Sequence, residues 1–250
     1  MLTNRFYLYA IVAGAHPPEP SLTGLAGAAV TLLPYRDLAA AVSEVAGEGV
    51  RPDPEQLLCH ERVVETLMAQ RSTLPVRFGA VLSDADAVLT ILDERYAAFA
   101  ADLARLAGQV EVGVRILWDP DAMAVPQCPE QRGRLSAGLP APAAPATDPG
   151  DDRPGTRYLL ARAQEVAAER RLREAAQALE TWLLARLKPL ASTSVTRLLA
   201  TAAMPVSAAF LTSREDVAAL LAAAAEMQRE RPDLDLVCTG PWPPYHFVSK

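Results

Sequence analysis

The strongest constraint on this chain is the block from 119 to 154, where Pro, Ala, Gly and Asp dominate, as in Leu139-Pro140-Ala141-Pro142-Ala143-Ala144-Pro145. That composition buries too little apolar surface to offset the entropy of ordering its backbone, so no core can run through it. It is expected to be a mobile loop or linker. The ordered mass must form on its two sides. With 250 residues, half of them hydrophobic, there is material for one large or two modest domains. Much of that fraction is alanine, as at Ala222 to Ala225, and aromatics are 6% of the chain, which favours helices over aromatic-rich cores.

On the N-terminal side, residues 5–13 read as an opening strand, rich in aromatic and β-branched types and ended by Gly14, Pro17, Pro18 and Pro20. Short strands fit 28–33 and 38–45. Asp53-Pro54 opens a helix over 54–70, an N-cap followed by proline at the first helical position. Leu57, His60, Val63, Val64, Leu67 and Met68 share one face of it. A strand is predicted at 74–82. Ser83-Asp84 then caps a helix with a stripe of Val88, Leu92, Tyr96, Phe99, Leu103 and Leu106, and Gly108 stops it.

On the C-terminal side, 110–118 alternates as a half-buried strand, and 155–187 is helical throughout. The stripe of that helix shifts from Leu159, Ala163 and Val166 to Leu172, Ala176, Leu179 and Leu183. An unbroken helix of this length spans roughly 50 Å, more than a small sheet covers, so it either kinks near 167–171 or projects at one half. Strands at 190–199 and 204–212, a helix at 213–230 and a strand at 234–239 complete a β-α-β-β-α-β order, the split βαβ or ferredoxin-like arrangement. The fold expected is therefore α+β in two domains. Residues 1–108 form a mixed α+β domain, and 109–250 form a ferredoxin-like one with a long helix and the 119–154 insertion.

The net charge of −6 comes from mixed signs along the chain, without the clustered Lys and Arg that nucleic acids require. The dense basic run Arg170-Arg171-Leu172-Arg173 is flanked by Glu169 and Glu174 at pairing distance on a helix. Cys59, Cys128 and Cys238 are too few and too scattered for a disulfide framework or a C-x-x-C site. No signal peptide and no apolar span of about 18 residues is present, so a cytoplasmic protein without membrane contact is expected.

Chemistry is sparse. The phosphate-loop, dinucleotide, zincin and nucleophile-elbow patterns are missing, and neither catalytic residues nor a cofactor or metal is predicted. Asp119, Asp121, Asp148, Asp151 and Asp152 lack calcium-loop spacing. Of three histidines, His60 stands out on an apolar helix face between Cys59 and Glu61. Successive helical side chains point about 100° apart, so these three cannot converge on one ion or form a nucleophile pair. A buried, hydrogen-bonded histidine is the expectation. Two other segments carry unusual residues. Arg77-Phe78-Gly79 sets a cation in an apolar run, which must find a carboxylate or reach the surface. Pro241-Trp242-Pro243-Pro244-Tyr245 presents large amphipathic rings on a stiff backbone, suited either to sealing the core or to gripping a partner.

These segments resemble the GvpF/GvpL family of gas vesicle proteins. The resemblance lies in Tyr7 to Val12, in His60 to Val64 followed by Leu74 to Gly79, in Gly155 to Leu160, in Ala209 to Leu211 before Arg214-Glu215, and in Gly240 to Val248. It covers nearly the whole chain outside 119–154. It implies an α+β N-terminal domain, a modified ferredoxin-like C-terminal domain and no catalysis. It further implies a role in vesicle formation through the small hydrophobic wall protein (GvpA type) and other accessory proteins. F-like and L-like members are not distinguished by these residues. A small-ligand regulatory module is the rival from the fold class alone, and an enzyme built on Cys59 and His60 is the third reading.

Overall fold

Strand β1 (Arg5–Ala13) organises the first half of the chain. In the computed structural model, which describes residues 5–16, 22–46, 50, 52–118, 154–199 and 203–249, Tyr7 to Val12 are each at most 6% exposed. The expected loop at 119–154, with Cys128 and the aspartates near it, lies outside the described residues save Pro154, as do Pro17, Pro18 and Pro20 and the side chains of 154–157, 160 and 161. An unbroken apolar run such as β1 is what a strand buried on both faces requires. It lies at the heart of a sheet ordered β2-β3-β1-β4, with β2 at Thr31–Tyr35, β3 at Leu38–Val45 and β4 at Thr73–Pro75. A further strand, β5 (Val81–Leu82), also pairs with β1.

Helix α1 (Pro54–Gln70) covers one face, its first turn capped by the Asp53 carboxylate accepting from the Gln56 N–H at 2.9 Å. Val63, Val64 and Leu67 pack there on Tyr7, Tyr9 and Ala39. Leu57, expected on this face, is 41% exposed in the first turn. Leu8 pairs with Val42 while Ala10 pairs with Ala41, so β1 carries one extra residue at Tyr9. That bulge turns both Tyr9 and Ala10 towards α1. Gly24 lets the tyrosine lie close, since a Cβ there would fall 2.1 Å from Tyr9 Oη.

Helices α2 (Ala85–Glu94) and α3 (Tyr96–Arg105) cover the other face. A single helix was expected here. The break at Arg95 (φ −111°, ψ 12°) has no Gly or Pro to announce it, and the apolar stripe runs on across it. The strand expected at 74–82 is likewise interrupted, with a loop at 76–80. Pro75 lacks the N–H to extend the ladder, and Gly79 adopts φ +97°. The strand expected at 28–33 begins only at Thr31.

The second half has β6 (Gln109–Trp118), α4 (Pro154–Leu187), β7 (Thr193–Leu198), β8 (Val206–Ser213), α5 (Val217–Glu230) and β9 (Leu234–Trp242). The sheet order is β7-β8-β6-β9, all antiparallel, an arrangement compatible with the split βαβ expectation. On one face Val112, Val114, Ile116 and Phe210 pack under Leu179, Leu183, Leu187, Leu220 and Met227 of α4 and α5. Helix α4 is continuous through 167–171, so no kink reconciles its two stripes. Its first half projects instead, with Tyr158, Leu159 and Val166 between 52% and 69% exposed.

The C-terminal segment is docked. Phe247 packs with Phe99, Leu103, Leu106 and Leu211, and the buried Asp102 accepts from the Ser249 N–H at 2.7 Å and from Arg105 at 2.6 Å. Ala209 and Leu211 of β8 join the same cluster, so the first half of the chain covers part of the second sheet's outer face.

Candidate functional site

His60 is 1% exposed and fully engaged. A carbonyl oxygen can only accept, so the 3.0 Å contact between Nε2 and the Val76 carbonyl makes Nε2 the protonated nitrogen. Nδ1 then accepts from the Tyr7 hydroxyl at 2.8 Å, and that hydroxyl accepts from the Gly79 N–H at 3.1 Å. Tyr9 stacks on the ring, and Tyr7 and Phe78 meet it edge-on, with centroids 5.6 to 5.9 Å apart across the cluster. Burial pushes the imidazole pKa down to about 4, so the ring is neutral near pH 7. The histidine is buried and hydrogen-bonded, as the sequence predicted; it ties a loop to a strand and has no free nitrogen lone pair for proton transfer.

The C-terminal segment reaches the same ring. The Tyr245 hydroxyl donates to Glu61 Oε1 at 2.8 Å and lies 3.3 Å from His60 Nε2, which shares its proton with it. Glu61 Oε2 is buried without a hydrogen-bond partner among the described residues. Burial raises the Glu61 carboxyl pKa, the Tyr245 hydrogen bond partly offsets this, and nearby Glu65 raises it further.

A second bulge sets the aromatic segment. Gly113 pairs with Thr239, but Glu111, two residues back, pairs with Trp242, three residues on. The extra residue returns Trp242 to the face that carries Thr239. Gly240 accommodates this at φ +111°, where a Cβ would fall 2.7 Å from the Glu111 carbonyl oxygen. The Glu111 carboxylate accepts from the His246 N–H at 3.0 Å and from its ring Nδ1–H at 2.7 Å.

The residues singled out in the sequence thus fall into two groups joined through His60. Arg77 reaches the surface and has no ion-pair partner among the described residues; Phe78 is half-buried and Gly79 exposed. Pro241 and Trp242 are exposed, Pro243 and Pro244 buried, and Tyr245 half-buried. So the segment seals the core and offers a surface at once. Beside it lies a cleft of about 370 Å³, lined by Glu61, Arg115, Arg197, Trp242, Tyr245 and His246 among others. Glu111, Arg115 and Arg197 were not singled out from the sequence, and Glu61 was weighed only with Cys59 and His60 as a metal site. The one available signal was Glu111 and Arg115 at alternate positions of an otherwise apolar strand. Among the described residues no group of His, Cys, Asp and Glu could hold a metal ion, and no helix is long and apolar enough to cross a membrane.

Comparison with known proteins covers nearly the whole chain. The pattern of the family described as gas vesicle synthesis protein GvpL/GvpF matches residues 5–249. Gas vesicle protein F of Streptomyces sp. (strain CB03234) is 32% identical over 97% of this chain and 99% of its own. The fold matches the crystal structure of GvpF from Anabaena sp. PCC7120 with a TM-score of 0.77 at 24% identity, over 99% of this chain and 97% of that one. GvpF from Microcystis aeruginosa gives 0.73 at 20% identity, over 99% and 100%. At such identities the two structures speak for the fold alone. The family is one of gas vesicle proteins and not a known enzyme family. By sequence over nearly its full length, the chain belongs to the GvpL/GvpF family of gas vesicle synthesis proteins.

Proposed function

We propose that this protein is a non-catalytic assembly factor of the cytoplasm that binds the small hydrophobic wall protein (GvpA type), alongside other accessory proteins, during vesicle formation. In this reading 1–108 and 109–250 act as two domains, and Arg77 and Trp242 are partner contacts. One observation carries it. Both segments singled out from the sequence are fastened to His60, through the Val76 carbonyl and the Tyr245 hydroxyl, while Arg77 and Trp242 stay exposed. Cations and indoles held on a rigid base suit a protein interface, because little side-chain freedom remains to be lost on binding. The exposed Tyr158, Leu159 and Val166 on the projecting half of α4 add apolar surface of the kind that covers aggregation-prone subunits.

The test is association with wall protein co-expressed in soluble form, comparing the native chain with Arg77→Ala and Trp242→Ala. Weakened association at unchanged fold supports the contact assignment. No association of the native chain removes the wall-protein reading and leaves a scaffold acting through other accessory proteins.

A further inference from the structure

The outer face of the second sheet, away from α4 and α5, is only partly covered. Register sets Arg115 of β6 opposite Ser207 of β8, and Ser207 opposite Arg197 of β7. Two guanidinium groups therefore flank one small residue, on strands roughly 10 Å apart. Both are exposed, and neither has an ion-pair or hydrogen-bond partner among the described residues. Gly113 and Ala209 continue the low floor beside them, and the cleft of about 370 Å³ opens above it.

Charge identifies what fits there. The carboxylates of the cleft are already engaged, Glu111 by the two N–H groups of His246 and Glu61 by Tyr245. The remaining Glu61 oxygen is buried away from an incoming group. The two guanidinium groups are then the charged groups of the cleft left without a partner among the described residues. Shape then separates a polypeptide from a small anion. Val195 and Trp242, 41% and 40% exposed, line the same cleft and would stay in water beside a small anion. Strand β7, which carries Val195 and Arg197, is the outermost strand and is bonded to β8 alone among the described residues. Its free edge can pair with an extended chain.

We propose that this cleft receives an extended segment of the partner polypeptide, holding a carboxylate side chain between Arg115 and Arg197 and an apolar side chain on Val195 and Trp242. The inference rests on the wall-protein reading above and names where the contact is made. Its test uses the full chain and an Arg115→Glu/Arg197→Glu variant, each measured against soluble co-expressed wall protein and then against overlapping 12-residue synthetic peptides spanning that protein. Arg115→Gln/Arg197→Gln serves if charge reversal disturbs the sheet.

The expected result is that a peptide containing Asp or Glu binds the native chain and shifts its tryptophan emission. Reversal weakens both the peptide and the intact wall protein by about tenfold or more, and replacing the peptide's acid with Lys restores binding to the reversed variant. If the reversed variant binds intact wall protein as the native chain does, the cleft is not the site and the assembly reading survives. If the native chain does not bind wall protein, both fall. If free glutamate or inorganic phosphate stabilises the chain while no peptide binds, the cleft is a small-anion pocket and the proposal is overturned.

Discussion

The two sheets of this protein are covered differently. The first lies between α1 on one face and α2 and α3 on the other, and the polar groups in its α1 layer (Tyr7, Tyr9, Ser43 and His60) each have a hydrogen-bond partner. The second is roofed on one face by α4 and α5, while the other keeps two arginines in solvent without partners among the described residues. Desolvation makes a buried polar group costly to leave open, so most are met within the fold, Glu61 Oε2 on α1 being an exception among the described residues. A charge on an open sheet face carries no such demand and is free to meet another molecule. On this contrast, substitutions in the first sheet change stability, and those on the outer face of the second change association.

The largest effect separating the two is a pair of truncations. Ile11→Ala in β1, where the side chain is 1% exposed, is expected to cost about 2–5 kcal/mol through lost burial and the cavity left behind. Val195→Ala on the open face is expected to fall within about 0.5 kcal/mol of zero. Urea midpoints at an unchanged slope measure both. Equal costs at the two positions would break the contrast, by showing the outer face to be as tightly packed as β1.

Acid comes next. The His60 pKa falls from 6.5 in the unfolded chain to about 4 in the folded protein. Above pH 6.5 both states are neutral at this residue and the shift contributes nothing. Between 6.5 and about 4 the unfolded chain takes up a proton that the folded one refuses, so stability falls with pH across that window, by about 3 kcal/mol in full. Below about 4 both states are protonated and the slope ends. His60→Gln should flatten the stability profile between pH 6.5 and 5, where ordinary carboxylates contribute little. A profile identical to the native one would place the acid sensitivity elsewhere.

The same contrast explains what could be read from sequence. A strand buried on both faces announces itself as an unbroken apolar run, and Asp53-Pro54 is a cap with a local mechanism, so β1 and α1 were legible. So was His60, because its neighbours on the helix face are apolar. The break at Arg95 was not legible, since the stripe through Val88, Leu92, Phe99 and Leu103 keeps its period across it. Nor was the order of the C-terminal segment. Its prolines left sealing the core and gripping a partner equally open, while its anchors Asp102, Phe99, Leu103 and Leu106 come from over a hundred residues away. The cleft is the extreme case. Arg115 and Arg197 become neighbours only through the registers of β6, β8 and β7, and Trp242 joins them only through a bulge.

A smaller effect tests the joint between the halves. Tyr245→Phe removes the donor to Glu61 Oε1 and leaves that carboxyl without a hydrogen-bond partner among the described residues on either oxygen. The expected cost is about 1–2 kcal/mol, the net contribution of a half-buried hydrogen bond to a carboxylate. Amide hydrogen exchange should quicken along 242–249 while β1 stays protected. Faster exchange in β1 as well would mean that the two sheets open as one unit.

The smallest stability effect is the sharpest statement of the contrast. Arg197→Gln removes a charge that no described group neutralises, so nothing in the folded state is left unpaired. Two guanidinium groups roughly 10 Å apart in water repel by only about 0.4 kcal/mol, so the substitution should be neutral or slightly stabilising. The native chain should approach the variant as salt rises, because ions screen exposed charges at that distance. Thermal melts of both proteins at low and high ionic strength measure this. A loss above about 1 kcal/mol would mean that Arg197 is engaged within the fold, and the outer face would then have Arg115 alone to offer a partner.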